Sequence, residues 1–237
     1  GAGSMHPEML VEHIRKMKEA TDKPWGINVP LLYPEIDRLM DIIIQEGVKI
    51  VFTSAGSPKK WTPLLKSHGI TVVHVVSSAL FAKKCEEAGV DAIVAEGFEA
   101  GGHNGREETT TLTLIPNVAA SCSLPVIAAG GISSGKSVAA TMTLGAEGVQ
   151  IGTRFALTEE SSASPVFKDY CLSLGEGDTK LLLKKLAPTR LVRNNFRDAV
   201  ERAEDGGASA EELRTLLGRG RAKKGIFEGD LEEGELE

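Results

Sequence analysis

Val90-Asp91-Ala92-Ile93-Val94-Ala95-Glu96-Gly97-Phe98-Glu99-Ala100-Gly101-Gly102-His103-Asn104-Gly105 is the stretch on which the fold turns. Val90 to Ala95 is a short apolar run of the kind that fills a parallel sheet buried on both faces. Four glycines then surround one histidine, so the backbone can pass close to a flat ligand while an ionisable side chain is aimed at it. A second glycine cluster, Ala128-Ala129-Gly130-Gly131-Ile132, follows the next apolar run, and a third, Gln150-Ile151-Gly152-Thr153-Arg154, the one after. Three consecutive strands ending in loops of this kind make a site.

Outward from that stretch, β-branched runs recur at Trp25 to Val29, Lys49 to Thr53, Thr71 to Val76, Asp91 to Ala95, Pro125 to Ala128 and Gly148 to Ile151. Segments of helical period lie between them, among them Glu35 to Glu46, Lys59 to His68, Ala79 to Ala88 and Ser134 to Leu144. Continuous apolar strands alternating with amphipathic helices predict parallel βα units. Six such units suit a doubly wound open sheet, whereas a barrel needs eight. Polar or glycine-rich turns nevertheless follow nearly every strand, including Asn28, Thr53-Ser54-Ala55-Gly56 and Ser77-Ser78. A barrel draws its site from all its βα loops, while an open sheet concentrates its ligand at one switch point. The expected fold class is therefore α/β, a (β/α)8 TIM barrel lacking its first strands. A partial barrel core of six βα units is expected over 1–157, and a helical appendage or lid with an acidic tail over 158–237. Ser209 and Glu212 form a capping-box pattern that marks a helix start in that appendage.

Composition narrows the partners. Of 237 residues, 41% are hydrophobic, enough for a sizeable core, and the net charge of -6 disfavours nucleic acid or an anionic membrane. Three cysteines (Cys85, Cys122 and Cys171) are odd in number and lack metal or redox spacing. Free thiols in a reducing, cytoplasmic compartment are expected, with no metal. No apolar run reaches membrane-spanning length. The opening Gly1-Ala2-Gly3-Ser4, without an initiator methionine, suggests a tag remnant or a chain cut upstream.

The glycine pairs Gly130-Gly131 and Gly152-Thr153 end strands and precede helices or helix-like turns. Backbone N–H groups at such positions hold phosphate, and loops after a barrel's last strands are its usual phosphate site. Two such pairs in successive units put phosphate binding ahead of plain tight turns. No Gly-x-Gly-x-x-Gly follows a strand and no phosphate-loop lysine motif is present, which disfavours a Rossmann or nucleotide-triphosphatase reading. Among five histidines, His103 alone sits in a glycine-rich loop after a strand and is the best candidate acid or base. His6, His13, His68 and His74 read as surface or packing residues. Glu96 ends its strand where it can hydrogen-bond a ligand; Glu99 reads equally as a solvated loop charge. Asn28 reads either as an amide for a heterocycle's edge or as a satisfied turn residue.

Glu-Ala-Gly-Gly-His-Asn-Gly at 99–105, Ala-Ala-Gly-Gly-Ile at 128–132 and Gln-Ile-Gly-Thr-Arg-Phe at 150–155 together resemble the nitronate monooxygenase family, formerly 2-nitropropane dioxygenase. That family includes the flavin-dependent enoyl-[acyl-carrier-protein] reductase II. Trp25-Gly26-Ile27-Asn28-Val29-Pro30 and Gly145-Ala146-Glu147-Gly148-Val149 are similar as well. The resemblance implies an FMN-binding (β/α)8 barrel. Asn28, Glu96, Gly102, Gly130, Gly131 and Gln150-Ile151-Gly152-Thr153 would line the FMN site, with the phosphate near Gly131, Gly152 and Thr153. His103 matches the catalytic histidine, and Glu96 stands where reductase-like members carry glutamate and many nitronate-oxidising members glutamine. FMN would carry the electrons. Gly1 to Met5 resembles the loop after the family's second strand, and a chain truncated at both ends is implied.

Three functions follow as expectations. The first is oxidation of a small-molecule alkyl nitronate with O2. The second is reduction of an enoyl thioester on acyl carrier protein, with NADH or NADPH as donor. The third is a truncated, non-catalytic flavin- or phosphate-binding fragment. A homodimer is among the expected assemblies.

Overall fold

The computed structural model describes Ala2 and Met5–Glu237; the opening stretch Gly1, Gly3 and Ser4, with the resemblance placed on it, lies outside the described residues. The strands are β1 (Ile27–Pro30), β2 (Ile50–Ser54), β3 (Thr71–Val76), β4 (Ala92–Glu96), β5 (Gly102–His103), β6 (Val126–Ala129), β7 (Gly148–Gln150), β8 (Thr179–Leu182) and β9 (Thr189–Val192). All six expected apolar runs form strands, with no end moved by more than two residues.

Six of these strands pair in parallel in the order β1-β2-β3-β4-β6-β7, each beside the next of the six along the chain. A doubly wound sheet reverses its strand order at a switch point, and this sheet does not. Progression in one direction is barrel topology, in accord with the expected TIM-barrel class. The helices that cover it are α1 (Pro7–Ala20), α2 (Ile36–Gln45), α3 (Thr62–Ser67), α4 (Ala79–Glu87), α5 (Thr111–Ala119) and α6 (Gly135–Thr143). Helix α2 buries Leu39, Met40 and Ile43, one face at helical spacing. Ser78 and Ser134 start α4 and α6 by accepting hydrogen bonds from Phe81 N and Ser137 N.

The register sorts the strand residues into two faces. Asn28 pairs with Phe52, Phe52 with Val73 and Val73 with Ala92; Val94 pairs with Ile127, Glu96 with Ala129 and Ala129 with Gln150. Alternation along each strand puts all of these on one face, the inner one. Phe52, Val73, Val75, Val94, Ile127 and Ala129 pack together there. The outer face, with Val51, Val72, Ile93, Val126 and Ala128, packs against Leu39, Ile43, Leu65, Leu114 and Val118 of the helices.

The remainder departs from expectation. After α7 (Thr153–Ala156) and α8 (Pro165–Leu172), β8 and β9 form an antiparallel hairpin, followed by α9 (Asn195–Asp205), α10 (Ala210–Leu217) and a π-helical turn (Lys223–Phe227). The segment expected to be a helical appendage therefore holds strands as well as helices. β9 also pairs with β5, so the hairpin adds a three-stranded sheet, β5-β9-β8, to the histidine loop. Leu182, Leu183, Leu191, Phe196, Val200 and Leu213 give this part its own core. The Ser209–Glu212 capping box is present at the start of α10. No described helix is long and apolar enough to cross a membrane.

Candidate functional site

Strand β4 delivers Glu96 to the inner face at the mouth of the sheet. Burial pushes its carboxyl up to about 7, with no hydrogen bond or neighbouring charge opposing that rise. Asn28 and Gln150 share that face through the register. The Asn28 amide reaches only long partners, the Phe52 carbonyl at 3.4 Å and Ser54 Oγ at 3.5 Å, so its donors are only weakly engaged.

The loop after Glu96 is held on every side. Gly97 N donates to the Ala129 carbonyl at 2.9 Å, and Phe98 N to that of Thr109 at 3.0 Å. Gly102 adopts a left-handed φ of 73°, and a Cβ there would collide with the Glu237 carboxylate. Gly105 lies against Ser77 at the end of β3, again with no room for a side chain. His103 pairs with Thr189 in the β5–β9 ladder, and Asn104 N donates to the Pro188 carbonyl at 2.7 Å. Asn104 Nδ2 donates to the carbonyls of Ala100 and Gly102, both at 2.9 Å, while its Oδ1 is buried without a partner. Amid this close packing the His103 side chain is exposed.

The glycine clusters differ from one another in what surrounds them. A Cβ on Gly130, whose φ is 96°, would stand 2.5 Å from the Gly97 carbonyl, so this glycine serves close packing of two loops. Around Gly152 there is open space. Among the described residues, the N–H groups of Gly131, Ile132, Gly152 and Thr153 have no acceptor, and the register Ala129↔Gln150 sets the two loops side by side. Free donors at adjacent strand ends fit a phosphate. Thr153 is exposed and lies near Gly101. Ile151 packs against the core behind the loop.

Two further residues take defined places in the packing around the sheet. The Glu99 carboxylate accepts from Thr111 N at 3.0 Å and Thr111 Oγ1 at 2.9 Å, capping α5 from twelve residues upstream. From an exposed position it clasps the histidine loop to a helix. His74 is buried on the outer face, with Nδ1 2.6 Å from Thr53 Oγ1, and burial brings its imidazole down to about 4. His6 and His68 flank the ends of α1 and α3, and His13 is exposed on α1.

Sequence reasoning missed Arg190. Its Nε and Nη2 donate to the Phe98 carbonyl at 3.2 and 2.8 Å, and its Nη1 to Thr179 Oγ1 at 3.3 Å. Arg190 also lines, with Glu99, Gly101, Thr153 and Glu237, a cavity of about 190 Å3 under the loop. Glu237 is raised by burial, with the His103 charge opposing, and Glu235 is pushed up to about 7 by burial. No local pattern around Arg190 announces a partner 92 positions away.

The family model described as nitronate monooxygenase matches residues 35–237. A 5-hydroxy-7a-methyl-1-oxo-octahydro-1H-indene-4-carboxyl-CoA dehydrogenase from Rhodococcus jostii is 34% identical over 193 residues, covering 81% of this chain and 54% of that protein. A probable nitronate monooxygenase from Bacillus subtilis is 33% identical over 221 residues, covering 76% of this chain and 64% of its own. The chain thus spans between half and two thirds of the length of these relatives. FabK from Thermotoga maritima superposes with a TM-score of 0.91 at 41% identity, over 100% of this chain and 75% of its own.

Proposed function

Because the chain belongs to the nitronate monooxygenase family, we propose that it is an FMN-dependent oxidoreductase that oxidises alkyl nitronates with O2. The observation that carries this is one exposed imidazole, His103, fixed by close-packed glycines beside a mouth that offers free backbone donors and unengaged inner-face polar groups. FMN, when bound, supplies the two-electron exchange with the substrate. The N–H groups of Gly131, Ile132, Gly152 and Thr153 bind its phosphate, and Asn28 and Gln150 orient its ring system. Ile151, Gly102 and Gly130 shape the backbone on which these contacts rest. His103 takes the proton from the carbon bearing the nitro group, or anchors the nitronate already formed. Glu96, with its carboxyl pushed up to about 7, holds or releases a proton near neutral pH.

Glu96 favours a second reading, reduction of an enoyl thioester at FMN with NADH or NADPH as donor, because glutamate at this position resembles the reductase-like members. The name of the Rhodococcus relative, a carboxyl-CoA dehydrogenase, supports thioester chemistry within the same family. In that reaction His103 would deliver or steady a proton at the thioester. The test is the visible spectrum of the purified protein with FMN, free of oxygen. Bleaching by a nitronate but not by either nicotinamide is expected. Bleaching by NADH or NADPH transfers the assignment to the reductase, and failure to take up flavin leaves only a non-catalytic binding role.

A further inference from the structure

We propose that Arg190 is the positioning residue for His103, acting through the main chain of the histidine loop. One residue of the appendage grips this loop at two places. Its backbone pairs with Gly102, next to the histidine, while its guanidinium reaches back to the Phe98 carbonyl with two donors. The Phe98 ring lies 5.4 Å from the guanidinium carbon, so cation and aromatic face are also engaged. Between these grips, Ala100 N donates to the Gly97 carbonyl at 3.1 Å, and Asn104 Nδ2 ties Ala100 to Gly102. Thr179 on β8 holds the third edge of the guanidinium, which fixes the fork in orientation.

His103 lacks a side-chain hydrogen bond among the described residues and faces the Glu237 charge, so its placement depends first on the backbone that carries it. A two-residue strand cannot hold register alone; the Arg190 fork supplies what β5 lacks. A lysine cannot reproduce this, because an ammonium lacks the planar pair of donors that meets one carbonyl while stacking on a ring.

The inference rests on His103 being the acid, base or anchor of the proposed reaction, but its first readout is independent of any cofactor. Amide hydrogen exchange of the unmodified full chain and of Arg190→Lys should show acceleration of about 10- to 100-fold confined to residues 98–104, with β1–β4 unchanged. Thr179→Val, which removes only one of the guanidinium's partners, should give a smaller acceleration in the same window and retain the fold. With FMN and substrate present, Arg190→Lys should lower kcat by about 10-fold or more while KM changes less than about threefold. Unchanged loop exchange in both folded variants would overturn the proposal, as would faster exchange with kcat intact. Faster exchange with parallel loss of flavin binding would also overturn it, since Arg190 would then serve the cofactor site rather than His103. A protein that takes up no flavin still gives the exchange result, so failure of the functional assignment is read separately.

Discussion

The two faces of the parallel sheet each carry an ionisable group, His74 buried and Glu96 half-buried, and they treat it in opposite ways. On the outer face His74 meets Thr53 at 2.6 Å, and burial holds its imidazole neutral, down to about 4. On the inner face Glu96 is pushed up to about 7 by burial, with no partner to relieve it. A buried polar group with a neighbour that completes its hydrogen bonding is part of the packing. A half-buried carboxyl left unrelieved at the end of a strand, beside a glycine loop carrying a histidine, is kept at a cost that packing does not explain.

The contrast can be broken by measurement. For Glu96 the folded-state value lies above that of the unfolded chain, so the penalty is absent below about pH 4.5 and complete above about pH 7. Glu96→Gln should therefore raise stability by up to about 3 kcal/mol at pH 8 and leave it unchanged at pH 4.5, as read by urea unfolding. Equal effects at both pH values would mean that Glu96 is not desolvated. His74 has the opposite sign: its folded-state value is depressed, so stability is complete above pH 6.5 and declines toward pH 4. A Thr53→Val/His74→Leu double variant should lose up to about 3 kcal/mol of that acid sensitivity while binding FMN normally. Weakened flavin binding would move His74 from packing to function.

The glycines sharpen the comparison at smaller magnitude. Gly130→Ala should cost about 2 kcal/mol or more, because its left-handed backbone and the Gly97 carbonyl 2.5 Å from the new Cβ both resist it. Gly152→Ala, with open space and a φ of -95°, should change stability by less than about 0.5 kcal/mol. Thermal unfolding of the two variants side by side separates a packing glycine from one whose neighbourhood is open.

The six parallel strands were legible because each is an apolar run set off by amphipathic helices, a pattern with two distinct periods. Functional turns at nearly every strand end favour a barrel over an open sheet, and the one-way strand order agrees. The β5-β9-β8 sheet was not legible. β5 is two residues long and half glycine, and its partner β9 begins at Thr189, far along the chain. Nor does β8, Thr-Lys-Leu-Leu, alternate strongly enough to stand out from a loop. For the site, the strand-end loops single out Asn28, Glu96, His103 and Gln150 as candidates, and the register brings Asn28, Glu96 and Gln150 to one face. Glu99 and Arg190 escaped because their roles rest on contacts with Thr111 and Phe98, which only folding brings near.

The most direct measurement compares single-turnover bleaching of the flavin by a neutral nitroalkane and by its preformed nitronate, in the unmodified protein and in His103→Ala. If His103 removes the proton, the variant should react about 100- to 10,000-fold more slowly with the neutral nitroalkane, yet nearly normally with the nitronate, while FMN affinity is unchanged. Equal rates for the two proteins with the neutral nitroalkane would contradict the account and remove His103 from the chemistry.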